Sequence, residues 1–543
     1  MYVGISGRPG TDPESEGLDI CTGTDDDGAV NASPPSTHHR RGAMVSTCDA
    51  EAQIYETHTG VVILIGGFAY KVKKPLTTDF LDFSTVELRE SACIREVFLN
   101  RRMAPESYRG VAHLSDPAGA LSEPVIVMRR YPNSARLATR VRACIDVEPD
   151  LAAIAEVLAR FHATAERGAA IDQSGSANAV AARWDENIAV LTSFAGSVVD
   201  GDSLREIRTL SEEFMIGRRQ LFADRIESGL VVDGHGDLQA EDIFCMPAGP
   251  VLLDCLEFDD TLRYVDCVDD VAFLAMDLEF LGRSDLADYL IDQYSRASRI
   301  HTPESLWHFY IAYRAVVRAK VDCIRFTQGR AESAPGATSH LELALEHLRA
   351  GAVRLIRIGG GPGTGKTTIA SALSKTIGVQ VISTDVVRRQ LHEQGVITGD
   401  PGTLNGGLYS EQNVSTVYDT VLRYAQTLLT RGQSVILDGT WRDPSRREQT
   451  HRLAHETHSL LYEFECKLPL GEAQDRIACR RHTPSDATPA VAAALNAGHD
   501  ESRTEHRIDT SQPIAESVAQ IEAVCRLRSH IRARGDYPRH ETP

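Results

Sequence analysis

No run of this 543-residue sequence stays apolar for the roughly 18–20 residues that a transmembrane helix needs. The strongest run, Val61–Ile65, has the length of a buried strand. The first residues carry no basic patch followed by an apolar core, so no secretory leader is expected. The eleven cysteines include no CxxC pair and are odd in number, which argues against a disulfide framework and for a reducing compartment. Basic charge is in deficit: 57 Lys and Arg stand against 76 Asp and Glu, a formal net charge of −19. General nucleic-acid binding needs a basic surface and is not expected. A local basic pocket for a phosphorylated ligand is compatible with the same balance. Together these absences predict a cytoplasmic protein that is neither a membrane protein nor a general nucleic-acid binder.

The length exceeds what one hydrophobic core usually serves, so several domains are expected. Residues 1–43 are rich in Gly, Pro, Ser, Thr and Asp and cannot bury enough apolar surface to offset their ordering entropy, so disorder is expected there. Regular patterning begins after Met44, which makes Met44 a candidate start. Val61–Ile65 and Ala69–Val72 flank Gly66-Gly67 as a hairpin, Val86–Arg102 reads as a helix, and Glu123–Met128 as a strand. Leu151, Ile154, Val157, Leu158 and Phe161 share a helical face, with Asp150 as its cap. Strands return at Leu230–Val232 and Val251–Leu253, and helices run from about 266 to 350. Beyond 353 the texture alternates: strands at Leu355–Ile358, Gln380–Ile382, Ser434–Leu437 and Leu460–Cys466 are each separated by a helix, the pattern of a parallel sheet. The expected division is 1–43, 44–350 and 351–543.

The first motif reads Gly360-Gly361-Pro362-Gly363-Thr364-Gly365-Lys366-Thr367, after a strand and before a helix. Its glycines let backbone N–H groups turn toward phosphate oxygens, and the helix N-terminus adds partial positive charge. Lys366 would reach the β- and γ-phosphates of ATP, Thr367 would ligate Mg²⁺, and Thr368 continues the binding turn. Asp438 ends the strand in SVILDGT and would serve as a carboxylate near that Mg²⁺, the alternative being a turn cap. Asp385, in ISTDVVRRQ, would orient or deprotonate an acceptor hydroxyl, with Arg388 or Arg389 holding an acceptor anion; helix capping is its alternative. Arg476, Arg480 and Arg481 would form a phosphate-clamping lid or a solvated basic face. This half resembles small P-loop kinases of the gluconate kinase, adenylylsulfate kinase and zeta-toxin type.

The second motif lies upstream in VVDGHGDLQAEDIFCMPAGPVLLDCLEFDD, spanning 231–260. His235-Gly236-Asp237-Leu238 sits between apolar strands, and Asp242 and Asp254 stand at the two ends of a predicted hairpin. One carboxylate at such a place can accept a hydroxyl proton and another can hold Mg²⁺ on ATP. These residues resemble the aminoglycoside phosphotransferase and choline kinase branch of the protein-kinase-like fold. The resemblance implies that Asp237 is the catalytic carboxylate and that Asp254 binds metal. It further implies a metal-binding role at Asp242, where that branch has Asn. Lys71 or Lys73 in GGFAYKVKKP would be the ATP lysine, paired with Glu96 or, as runner-up, Glu90; Met128 would lie at the adenine hinge.

As a whole, the chain resembles the bifunctional aminoglycoside phosphotransferase/ATP-binding proteins of actinobacteria. FLDFSTVELRE, EPVIVMRRYP and RYVDCVDDVAFLAMDLEF carry that likeness beyond the motifs. It implies an α+β protein-kinase-like N-terminal domain followed by an α/β P-loop kinase domain with a parallel sheet. It also implies ATP and Mg²⁺ as cofactors, a small-molecule acceptor, and grouping with AAA-type ATPases.

Overall fold

The computed structural model describes residues 4–6, 52–56, 59–78, 81–115, 122–400, 406–479 and 506–531. Residues 1–3 and 7–43, expected to be disordered, lie outside that set. Gly4–Ser6 pairs antiparallel with His113–Ser115 as an edge strand.

The chain forms two compact units. The first comprises Met1–Glu166, Asp233–Tyr264 and Asp277–Ser298; the second comprises Arg167–Val232, Val265–Met276 and Arg299–Pro543. The expected cut at 350 is therefore not where the compact units part. The helices before 350 cluster with the chain that follows it.

In the first unit, six antiparallel strands lie in the order Gly4–Ser6, Tyr108–Ser115, Ser122–Arg129, Phe68–Lys73, Gly60–Ile65 and Gln53–Glu56. Alternating side chains give the sheet one face that packs on the Val86–Asn100 helix. Thr85 caps that helix by accepting from Leu88 N at 3.3 Å. Its inward face carries Cys93, Glu96, Val97 and Asn100, all buried. Cys93 and Val97 share an apolar cluster with Tyr108, Ile126, Phe244 and Leu253. The hairpin Ile243–Met246/Gly249–Leu252 thus meets the helix through side chains. The Glu148–Thr164 helix packs on Ser284–Ser298, where His162 Nδ1 lies 2.8 Å from the Tyr294 hydroxyl. That first helix starts three residues earlier than expected, with Val147 rather than Asp150 at the cap position. Pro149 occupies its first turn, and Asp150 pairs with Arg140 at 3.0 Å instead of capping.

The second unit joins helices to a five-stranded parallel sheet ordered Gln380–Ser383, Val435–Asp438, Arg354–Gly359, Leu460–Lys467 and His506–Asp509. Helices cover both faces, so each face has its own core. Leu355, Ile382, Leu437 and Leu453 belong to one, and Ile356, Ile358, Ile369 and Phe464 to the other. The strand His506–Asp509 was not expected. The helical part centres on Trp184, Phe214 and Phe309, the last two stacked at 4.4 Å. It grips the sheet's loops at named points. Arg218 donates to the carbonyls of Thr457 and His458, and Ser305 Oγ to Gly432 O at 2.7 Å. Arg431 pairs with Asp224 at 2.7 Å.

The architecture is an α+β protein-kinase-like fold toward the N-terminus and an α/β P-loop kinase fold toward the C-terminus.

Candidate active site

Lys71 and Lys73 occupy one strand, two residues apart, and so share a face. Both reach the buried Glu96 of the Val86–Asn100 helix. Lys71 Nζ lies 2.9 Å from Glu96 Oε1 and 2.6 Å from Asp254 Oδ1. Lys73 Nζ lies 2.6 Å from Glu96 Oε2 and also bonds Glu257. Glu90 is not part of this cluster; it stands 3.4 Å from His113 Nε2. Burial alone would lower the Lys71 pKa, but the Asp254 and Glu96 carboxylates outweigh it and raise it well above the usual lysine range.

Asp254 follows the hairpin with φ +64, a left-handed conformation that is costly for a residue with a Cβ. Its N–H donates to the Tyr108 hydroxyl at 3.2 Å, and the next N–H, of Cys255, donates to Asn100 Oδ1 at 2.9 Å. Those two bonds fix the turn against the sheet and the helix. Burial pushes the Asp254 carboxyl up, and Lys71 more than reverses this, leaving it below the ordinary range.

The segment before the hairpin is held from several sides. Arg102 donates to the carbonyls of Asp233 and Gly234, at 3.1 and 2.8 Å. Arg263 Nε pairs with Asp233 at 2.8 Å. A carbonyl oxygen only accepts, so His235 Nε2–H donates to Leu253 O at 3.1 Å. Its Nδ1 then accepts from Asp237 N at 3.4 Å. Gln239 Nε2 donates to Asp237 Oδ1 at 2.8 Å. Ala240 N donates to Asp277 Oδ2 at 2.8 Å. Asp242 is backed by its own O accepting from Leu253 N at 3.0 Å. Burial, then the charges of Asp254 and Asp237, raise the Asp242 carboxyl well above its usual range. The three aspartates therefore share one electrostatic environment.

Met128 stands opposite Ala69 and Tyr108. The chain beyond it is tied down by Arg129 N to Ser107 O at 2.8 Å and Arg130 N to Gly67 O at 2.9 Å.

In the second unit the glycine-rich loop leaves Arg354–Gly359 and enters the helix Lys366–Ile377. Gly363 has φ +81, and a Cβ there would stand 2.4 Å from Ala473 O. Only glycine fits that close approach. Thr364 Oγ1 donates to Gly361 O at 2.8 Å. Thr510 Oγ1 donates to Thr364 O at 2.6 Å, and Arg476 donates to Thr510 O at 2.8 Å. Gly360, Gly361, Pro362 and Gly365 complete the loop, and Thr368 is exposed on the helix's first turn. Thr367 Oγ1 donates to Asp438 Oδ2 at 2.8 Å. Asp438 is 2 % exposed, and its Oδ1 is buried without a hydrogen-bond partner. Burial raises its pKa, opposed by Lys366 and by the Thr367 hydroxyl.

Asp385 lies in the first turn of the Thr384–Glu393 helix, whose cap position is Ser383. Its carboxylate pairs with Arg388 at 2.6 Å, so this arginine, expected to hold an acceptor anion, already has an internal partner. Arg480 and Arg481 lie outside the described residues.

Two features escaped the sequence. Thr510 locks the phosphate loop from the turn after His506–Asp509, a strand with one apolar residue, Ile508, and so no readable pattern. Glu257 joins the lysine cluster from an irregular turn, where spacing carries no signal.

The donor sets fit magnesium nucleotide. Mg²⁺ usually takes one or two carboxylates plus phosphate oxygens and water. The orphaned Oδ1 of Asp438 beside Thr367 suits such an ion. Among the described residues no group of three or more His, Cys, Asp or Glu is placed to hold a metal ion.

A family model described as an AAA domain matches residues 355–503. Two solved structures are similar with low scores. One is a choline/ethanolamine kinase family protein from Mesorhizobium loti: TM-score 0.35, 14% identity, covering 56% of this chain and 94% of that one. The other is the Mycobacterium tuberculosis APS kinase CysC in complex with AMPPNP and APS: TM-score 0.25, 15% identity, covering 33% and 98%. In sequence, the chain is 54% identical over 481 residues to "Uncharacterized protein Rv2004c" of Mycobacterium tuberculosis (strain ATCC 25618 / H37Rv), covering 87% of this chain and 97% of that protein. The same figures hold for "Uncharacterized protein Mb2027c" of Mycobacterium bovis (strain ATCC BAA-935 / AF2122/97). With that identity across nearly their whole length, the chain belongs to the family of these mycobacterial proteins.

Proposed function

We propose that the protein is a bifunctional ATP-dependent phosphotransferase of the aminoglycoside phosphotransferase/P-loop kinase type. Each half moves the γ-phosphoryl group of ATP to a hydroxyl of a small metabolite. The observation that carries this reading is the Lys71 ammonium held between Glu96 and Asp254, residues 25 and 183 positions away in sequence. A lysine so placed can pass from the Asp254 carboxylate to a phosphate oxygen when nucleotide enters.

In the N-terminal half Asp237 orients the acceptor hydroxyl and takes its proton, while Gln239 keeps the carboxylate aimed. Asp254 and Asp242 would hold Mg²⁺, which when bound neutralises phosphate charge, and Met128 borders the adenine. In the C-terminal half the loop from Gly360 to Thr368 cradles phosphates, with Lys366 as the charged contact. Thr367 and Asp438 would hold Mg²⁺. Asp385 orients the acceptor, and Arg476 braces the loop through Thr510. Arg480 is assigned to the phosphate clamp. Catalysis in both halves is positioning and electrostatics. The acidic balance and the absence of a helix long and apolar enough to cross a membrane, among the described residues, support a cytoplasmic enzyme of small molecules.

An untargeted screen for new phosphorylated metabolites, run with wild type, Asp237→Asn and Lys366→Ala, tests the reading. Each variant should lose one set of products. No ATP-dependent product from wild type across broad acceptor pools overturns it.

A second reading makes the N-terminal half a pseudokinase that binds a ligand or partner, with the P-loop half as its switch. It is favoured by the Asp at 242, where that phosphotransferase branch carries Asn. Products that depend on Lys366 but never on Asp237 would select it.

A further inference from the structure

Glu96 is fully buried, and its two oxygens go to two different lysines. Lys71 takes Oε1 and also Asp254; Lys73 takes Oε2 and also Glu257. The bonds form an unbroken ladder, Asp254–Lys71–Glu96–Lys73–Glu257, which ties both ends of the turn after the hairpin to the helix. One lysine and one helix carboxylate would suffice to present an ammonium to phosphate. The second lysine and the second acid need another explanation.

Burial supplies it. The Lys73 side chain is 1% exposed against 13% for Lys71, and its ammonium sits 5.1 Å from the centre of the Phe83 ring. When Lys71 exchanges Asp254 for a phosphate oxygen, the Asp254 end of the turn loses its tie to the helix. A buried carboxylate left unpaired is heavily penalised, so without Lys73 the Glu257 end would have no strong cation to hold it either. With Lys73 in place, Glu257 stays tied to Glu96 and keeps the turn that carries Asp254 in position. The groups that face Lys73 are Glu96, Glu257, Lys71 and Cys93, which leaves the two glutamates as its anionic partners.

We propose that Lys73 and Glu257 are positioning residues of the N-terminal nucleotide site: Lys73 holds Glu96 and the Asp254–Glu257 turn in register while Lys71 exchanges Asp254 for a phosphate oxygen. This rests on the reading of that half as a nucleotide site.

The test is calorimetric titration of the full chain with Mg·ATP, in a Lys366→Ala background that silences the other loop, alongside thermal melts. Lys73→Met leaves Glu257 unpaired and lowers the melting temperature. The double variant K73M/E257Q removes both charges and restores it. Positioning predicts that the double variant still binds Mg·ATP at least about tenfold more weakly than its parent. A purely structural pair predicts that affinity returns with stability, and parental affinity in the refolded double variant overturns the proposal. If K73M/E257Q does not fold, Glu257→Gln alone replaces it, since it leaves every carboxylate of the ladder but one; affinity equal to the parent overturns the proposal equally. No Mg·ATP binding by the Lys366→Ala parent overturns the nucleotide reading itself, and this role with it.

Discussion

At Gly363 the backbone runs at φ +81 with the Ala473 carbonyl pressed against the place of a Cβ. A left-handed conformation costs a non-glycine residue about 1–2 kcal/mol, before the contact with that carbonyl is counted. Gly363→Ala is therefore expected to weaken nucleotide binding by the C-terminal half by at least about tenfold. Fluorescent-nucleotide titration of the full chain reads it, and unchanged affinity would show that the loop does not cradle phosphate. Asp237 makes a different demand. Its carboxylate is oriented by Gln239, and general-base catalysis supplies about 10²–10⁴-fold in rate. Asp237→Asn should lose turnover by that order and keep Mg·ATP binding, as measured by product formation and calorimetry on one preparation. Loss of binding with retained turnover would reverse the assigned role. Both residues could be singled out in the sequence because their motifs are contiguous. Lys71 and Lys73 could not be told apart there, since both face one way on one strand. Only the path of Asp254, 183 residues from Lys71, gives the first a partner that the second lacks, the basis of the division of roles proposed for them.

At the scale of elements, periodicity located the phosphate-loop strand, its helix and three of its strand neighbours. It missed His506–Asp509, whose single apolar residue, Ile508, shows no pattern. Helix starts were less legible. Asp150 looked like a cap by residue type, yet Pro149 set the true first turn. The cap that does form at Asp200 gives a test. Its carboxylate accepts from Ser203 N at 2.7 Å, and this bond lowers its pKa below the ordinary value. A depressed acid contributes stability above its unfolded pKa and loses it as pH falls through the folded one. Asp200→Ala should thus lower the melting temperature at neutral pH, and the gap from wild type should shrink below about pH 4. Asp200→Asn, which can still cap, should show a smaller loss. A gap that does not change with pH would remove the charge from the explanation.

At the scale of the molecule, length called for more than one domain and the change of texture suggested a boundary at 350, whereas the compact units interleave along the chain. The second of them takes in segments before 350 as well as all that follows. Arg218, Ser305 and Asp224 bind the loops at Thr457, His458, Gly432 and Arg431. Side chains so far apart in the chain leave no trace in local patterning. Expression of residues 351–543 alone should therefore give a domain that melts lower and is cleaved faster by protease than the same residues within the full chain. Equal stability would mean that these contacts add nothing. Above all of this stands the claim that one chain grips nucleotide twice. Binding stoichiometry of a non-hydrolysable Mg·ATP analogue tests it most directly. Two equivalents per chain are expected, falling to one in Lys366→Ala and to one in Lys71→Met; a single equivalent in wild type, or two that survive Lys366→Ala, would contradict it.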